Sequence, residues 1–149
     1  MTRLFVDSDG CPVREESIKV ASRNSVETFL VCAGGIRPNE NPLVQIIFVK
    51  EGLDSADDWI VENIKANDVA VTLDIPLAGR CISKGALVVK PNGDILSDKN
   101  IGPILAARNL SMSLRESGID LGGPRPFSKS DRSIFSSNLE NVMNKLISS

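Results

Sequence analysis

The chain has 149 residues, of which 42% are hydrophobic and 24% charged, with a formal net charge of −2 and no histidine or tyrosine. Such a composition suits a globular protein with one core, and the missing histidine excludes His-dependent triads, HExxH zinc sites and HD-type metal sites. No apolar stretch approaches the ~20 residues of a membrane helix, and Asp7 comes too early for a signal peptide. Cys11, Cys32 and Cys81 are widely spaced and odd in number, which reads as reduced thiols and a cytoplasmic location.

"RLFVD" (3–7) is an almost wholly apolar first strand that stops at Asp7. "PVREESIKVASR" (12–23) reads as a helix with Pro12 in its first turn. "ETFLVCA" (27–33) is a second strand, and residues 33–42 are a loop dense in Gly, Pro and Asn. "LVQIIFV" (43–49) is a third strand, followed by a helix in "DSADDWIVENIKA" (54–66). "DVAVTL" (68–73), "IPLAGRCISKG" (75–85) and "ALVVK" (86–90) read as strand, helix and strand. "PNGD" (91–94) is a turn of hairpin type, and 97–117 is helical with Pro103 near its start. Residues 118–129 form an irregular linker, and 131–147 form a last helix with Ile134, Leu139, Val142 and Leu146 on its apolar side. Strands apolar on both faces, alternating with helices, predict a mainly parallel sheet covered on both sides, an α/β/α sandwich.

In such folds ligands gather at the carboxyl ends of the strands, where Asp7 and Asp74 both fall. Around the third-strand helix, Asp54 is a cap candidate. With Ser55 as N-cap, Asp58 becomes the third position of a capping-box-like Ser-x-x-Asp. Asp57 precedes Ile60, Val61 and Ile64 by three, four and seven residues, so it is expected on the core-facing stripe. Asp74 can also cap the helix that begins around Pro76. If Asp7, Asp57 and Asp74 converge, their mutual repulsion calls for a cation, and an all-oxygen set favours Mg²⁺ or Mn²⁺ over zinc. Asp9 and Asp58 are further candidate ligands.

The stretches "FVDSDGCPV", "GLDSADDWIVENI", "VAVTLDIPLAGRCISKGA", "NI" at 100–101 and "GGPRPFSKSDRSIF" resemble the YaiI/YqxD family of bacterial proteins, itself similar to the PIN/NYN-like nuclease fold. They extend over almost the whole chain. The resemblance implies a single PIN-like domain over 1–149, with Asp7 as the first-strand acid, Asp57 as the helix acid and Asp74 as the later strand-end acid. Asp9 and Asp58 match the family's own pattern. Ser8 and Gly10 stand where the family usually has alanines, and Asn92 stands where it usually has arginine.

The resulting expectation is a metal-dependent nuclease whose Asp7, Asp57 and Asp74 hold one or two Mg²⁺ or Mn²⁺ ions and activate water against RNA or DNA phosphodiesters. Residues 1–75 hold 13 acids and 7 bases, whereas residues 76–149 hold 6 and 10. That split places candidate phosphate contacts at Arg80, Lys84, Arg125, Lys129 and Arg132, with Asp131–Arg132 as an alternative local pair. Two other readings compete. One is a non-catalytic nucleic-acid or protein binding module on this scaffold. The other is a haloacid-dehalogenase-like phosphatase, with Asp7 as nucleophile, Lys84 as its third motif and "GDILSD" (93–98) as its fourth; Cys11 stands where that family has threonine.

Overall fold

The structure, a computed structural model, describes residues 1–9, 11–34, 37–50, 55–122 and 126–148. The elements are β1 (Arg3–Asp7), α1 (Arg14–Arg23), β2 (Glu27–Cys32), β3 (Val44–Phe48), α2 (Ser55–Asn63), β4 (Val69–Val71), α3 (Ile75–Ser83), β5 (Leu87–Val89), β6 (Ile95–Leu96), α4 (Ile101–Glu116) and α5 (Lys129–Ile147). The strands form one sheet in the order β3-β2-β1-β4-β5-β6. The first five are parallel and β6 is antiparallel to β5.

Side-chain alternation along the strands divides the core in two. Leu4, Val6, Val69, Val71 and Val89 face α1 and α5, where Val20, Phe135, Leu139 and Met143 meet them. Phe5, Ala70, Val88 and Val31 face α2 and α3, where Ile60, Ile64, Leu77 and Cys81 close the other layer. This is a three-layer α/β/α fold. Its sheet is buried on both faces, which is why its strands read as unbroken apolar runs.

Several boundaries differ from the sequence reading. Ser55 lies inside α2 and does not cap it, so the capping-box account of Asp58 lapses. Helix α5 begins at Lys129, two residues early, because Ser128 and Asp131 form a reciprocal capping box. Asp131 is thereby engaged in the cap. On α5, Leu139 and Val142 are buried and Leu146 packs against the core as expected, whereas Ile134 is 48% exposed and its neighbour Phe135 is buried in its place. The 91–94 turn is a hairpin as expected. Lys90 accepts from the Gly93 N–H at 2.8 Å, and Gly93 adopts φ +97°, which favours glycine.

The chain leaves β1 for β2 and β3, then crosses back to β4 and continues to the other edge. The carboxyl ends of β1 and β4 therefore flank the switch point, where an α/β sheet opens a crevice.

Candidate functional site

Asp7 closes β1 and Thr72 follows β4. Phe5 pairs with Ala70 on the α2/α3 face, and Asp7 and Thr72, two residues further along each chain, are joined by a hydrogen bond. Thr72, 3% exposed, donates from Oγ1 to Asp7 Oδ2 at 3.0 Å and accepts from the Asp74 N–H at 3.0 Å. Asp74 is the N-cap of α3, its Oδ1 accepting from the Leu77 N–H at 3.0 Å. Asp9 Oδ2 accepts from the Ala33 N–H at 3.1 Å, which ties the loop after β1 to the end of β2.

Asp7, Asp9, Cys11, Thr72, Leu73 and Pro91 line a cleft of about 30 Å³ at this switch point. Burial pushes the Asp7 carboxyl above its ordinary value. The Thr72 bond opposes that rise, while the charges of Asp74 and Asp9 add to it. Burial likewise raises Cys11, which feels the negative field of Asp7. Only one oxygen of each of Asp7, Asp9 and Asp74 takes a hydrogen bond from the described residues, and no described basic side chain pairs with any of the three.

The other candidates lie around this centre or away from it. Burial pushes the Cys81 thiol up, Arg80 opposes this, and Asp57, partly buried on α2, adds to the rise together with Asp7, so both acids stand near that side chain. Asp58 is exposed and bonded to Arg80 at 3.0 Å. Among the described residues, no three Asp, Glu or Cys side chains are drawn together closely enough to hold a metal ion. Lys84 is the C-cap of α3, ten residues beyond Asp74 and so ~15 Å along the helix, at the opposite end of the sheet. Lys129 begins α5 and is exposed. Arg132 donates to the Pro12 carbonyl and to Glu16, and its guanidinium lies 4.9 Å from the centre of the Phe127 ring. Arg125 and Asp54 lie outside the described residues.

Sequence reasoning passed over Thr72, Arg14 and Lys90. Arg14 is half-buried in the first turn of α1 and lowers both Cys11 and Cys32 electrostatically, which places it beside the cleft. Lys90 directly follows β5 and precedes Pro91 of the cleft lining. Neither cation has an ion-pair partner among the described residues. The available signal for Thr72 was parity: Asp7 and Thr72 each stand two residues after a core residue of one row, Phe5 and Ala70.

Fold and site together define a doubly wound α/β protein with an acidic, histidine-free cleft at its switch point. The chain belongs to the YaiI/YqxD family, whose model, described as an uncharacterized BCR family, matches residues 5–145. A UPF0178 protein of Cereibacter sphaeroides is 53% identical over 146 residues, covering 97% of this chain and 90% of the relative. UPF0178 proteins of Rhodopseudomonas palustris and Roseobacter denitrificans are 46% and 47% identical over 146 residues. Those matches cover 98% and 97% of this chain, and 92% and 97% of the relatives. No solved structure matches the chain. No helix among the described residues is long and apolar enough to cross a membrane.

Proposed function

We propose that the protein is a PIN-like, divalent-metal-dependent nuclease working at the cleft lined by Asp7 and Asp9, with Asp74 beside it. The observation that carries this reading is the uncompensated charge: Asp7 and Asp9 line one small cleft, the charge of Asp74 reaches Asp7 from the start of α3, and none of the three has a described basic partner. Mutual repulsion of this kind is relieved by a cation. The donors are all hard oxygens, which suits Mg²⁺ or Mn²⁺, and each carboxylate keeps one oxygen free of hydrogen bonds from described residues. A cleft of about 30 Å³ admits an ion or a water but no nucleotide, so a substrate would lie across its mouth.

When bound, the ion would polarise water and offset charge developing on a phosphate. The chain's own residues do the rest. The Thr72 hydroxyl and the Ala33 amide hold Asp7 and Asp9 in place, and the α3 amino terminus holds Asp74. Asp57 stands near Cys81, as Asp7 does, and is a further acid close to the site. Arg14, which has no ion pair among the described residues, and Lys90, next to Pro91 of the cleft, are cations that could meet a phosphodiester, with Lys129 and Arg132 further out along α5. Asp58–Arg80 is a surface pair of small stabilising effect, so Arg80 can exchange its partner for phosphate at little cost.

A second reading, a non-catalytic nucleic-acid or protein binding module, draws on two observations. The acids are not gathered into a metal-holding group, and Arg80 and Arg132 are already paired. The phosphatase reading has lost its support, since Lys84 lies at the far end of α3 and Asp94 is an exposed hairpin residue bonded to Asn92. The test compares wild type with Asp7→Asn on RNA and DNA substrates with Mn²⁺, from nuclease-free preparations. The nuclease reading expects slow cleavage by wild type alone, together with a Mn²⁺-dependent rise in melting temperature that Asp7→Asn lacks. Equal cleavage by both proteins refutes the site, and salt-sensitive binding without cleavage favours the second reading.

A further inference from the structure

We propose that Thr72 is a positioning residue for the acid site, its hydroxyl fixing the Asp7 carboxylate and tying it to the start of α3. The proposal rests on the reading of Asp7 as a working acid, and its physical content is the polarity of one hydrogen-bond chain. A hydroxyl has one proton to donate and lone pairs to accept with. The Asp74 backbone N–H can only donate, so at 3.0 Å Thr72 Oγ1 must accept from it. The hydroxyl proton is then free to go to Asp7 Oδ2, also at 3.0 Å. The direction Asp74 N–H to Thr72 O–H to Asp7 is therefore determined by chemistry.

Thr72 is suited to this work for two further reasons. It is 3% exposed, so water does not compete for the hydroxyl, and a chain of bonds in such a setting strengthens each member. Its β-branched side chain is stiff about χ1, which fixes where the hydroxyl points. The consequence is selective. Asp7 Oδ2 is held, while Oδ1 takes no hydrogen bond from a described residue and is the oxygen left for a ligand. Asp7 also faces Asp9 and Cys11 from the turn after β1, Asp74 from the start of α3, and Cys81 from within α3. Thr72 is the described side chain that donates a hydrogen bond to it.

The test uses Thr72→Val, which keeps the shape and removes the hydroxyl, Thr72→Ala as a second hydroxyl-free variant, and Thr72→Ser, which restores it. Two readouts are taken at one fixed pH on folded protein: the carboxyl ¹³C chemical shift of Asp7, and the affinity for Mn²⁺ alone. Loss of an outer partner that orients a ligand weakens metal affinity roughly 10–100-fold. The expected result is a displaced Asp7 signal and a Mn²⁺ affinity weakened by that factor in Thr72→Val and Thr72→Ala, with both near wild type in Thr72→Ser. An unmoved Asp7 signal in the hydroxyl-free variants overturns the proposal, as does a Thr72→Ser protein that behaves like Thr72→Val. If wild type binds no Mn²⁺ but the Asp7 signal moves and is restored as described, the positioning role stands and the metal reading fails.

Discussion

Asp74 is both an acid acting on Asp7 from beside the cleft and the cap of a helix, and two substitutions separate those roles. Asp74→Ala removes the acceptor of the Leu77 N–H. Losing an N-cap side chain costs ~1 kcal/mol, within a range of roughly 0.5–2. The Leu77 residue is 1% exposed, so water reaches its amide poorly and the upper half of that range, about 1–2 kcal/mol, is expected. Asp74→Asn keeps an oxygen acceptor, since asparagine caps about as well as aspartate, and it removes a charge that destabilises ionised Asp7. The asparagine protein should therefore match or exceed wild type near neutral pH without divalent ions, while the alanine protein loses about 1–2 kcal/mol, or roughly 2–8 °C in Tm. Urea unfolding can be followed through Trp59, the single tryptophan, whose ring lies 6.0 Å from Phe5 and from Phe29. Equal midpoints for the two variants would refute the capping bond. An asparagine protein clearly weaker than wild type would refute the repulsion.

Two other perturbations check separate parts of the reasoning. The Asp7 carboxyl is raised in the folded state, mainly by burial, so above that raised value ionised Asp7 opposes folding, and below the ordinary value near 3.8 the penalty is gone. Asp7→Asn should thus be at least as stable as wild type at neutral pH, with the difference shrinking as pH falls toward about 4; urea titrations across pH measure it, and an advantage that grows on acidification contradicts the sign. Gly93→Ala would place a Cβ 2.5 Å from Ile134 Cγ2 and 3.1 Å from the α5 backbone, at φ +97°. A loss of about 2–4 kcal/mol follows from combined strain and overpacking, and a loss under 1 kcal/mol in chemical denaturation would show that the hairpin shifts away freely.

The fold was legible because its signals were local and repeated. Runs such as Leu4–Val6 and Val69–Val71 are apolar on both sides, which only a covered parallel sheet explains. Asp7 and Asp74 were legible as strand-end acids for the same reason. What could not be read was phase and partnership. Ile134 and Phe135 differ by one position on α5, and the cap at Ser128 sets which one faces the sheet. Asp58 finds Arg80 across 22 residues of chain, a pairing that depends on how α2 lies against α3. Lys84 is the instructive miss, because α3 must run back from the carboxyl ends, and a residue ten places along it leaves the site.

The charge split between the two halves of the chain misled for a related reason. It suggested a basic rim, but a cation acts on a phosphate only if it is not already engaged. Arg80 is held by Asp58 and Arg132 by Glu16, acids outside the cleft, so two chosen rim residues start out neutralised by their own surroundings. At the cleft the balance is reversed: Asp7, Asp9 and Asp74 have no described basic partner, and burial raises the Asp7 carboxyl while the charges of Asp74 and Asp9 add to that rise. An anionic substrate approaching such a cleft meets net repulsion until positive charge enters it. Under the nuclease reading the order of events follows from this, with cation binding preceding productive contact with a phosphodiester. Without a cation, contact would fall to Arg14 and Lys90 at the cleft's edges.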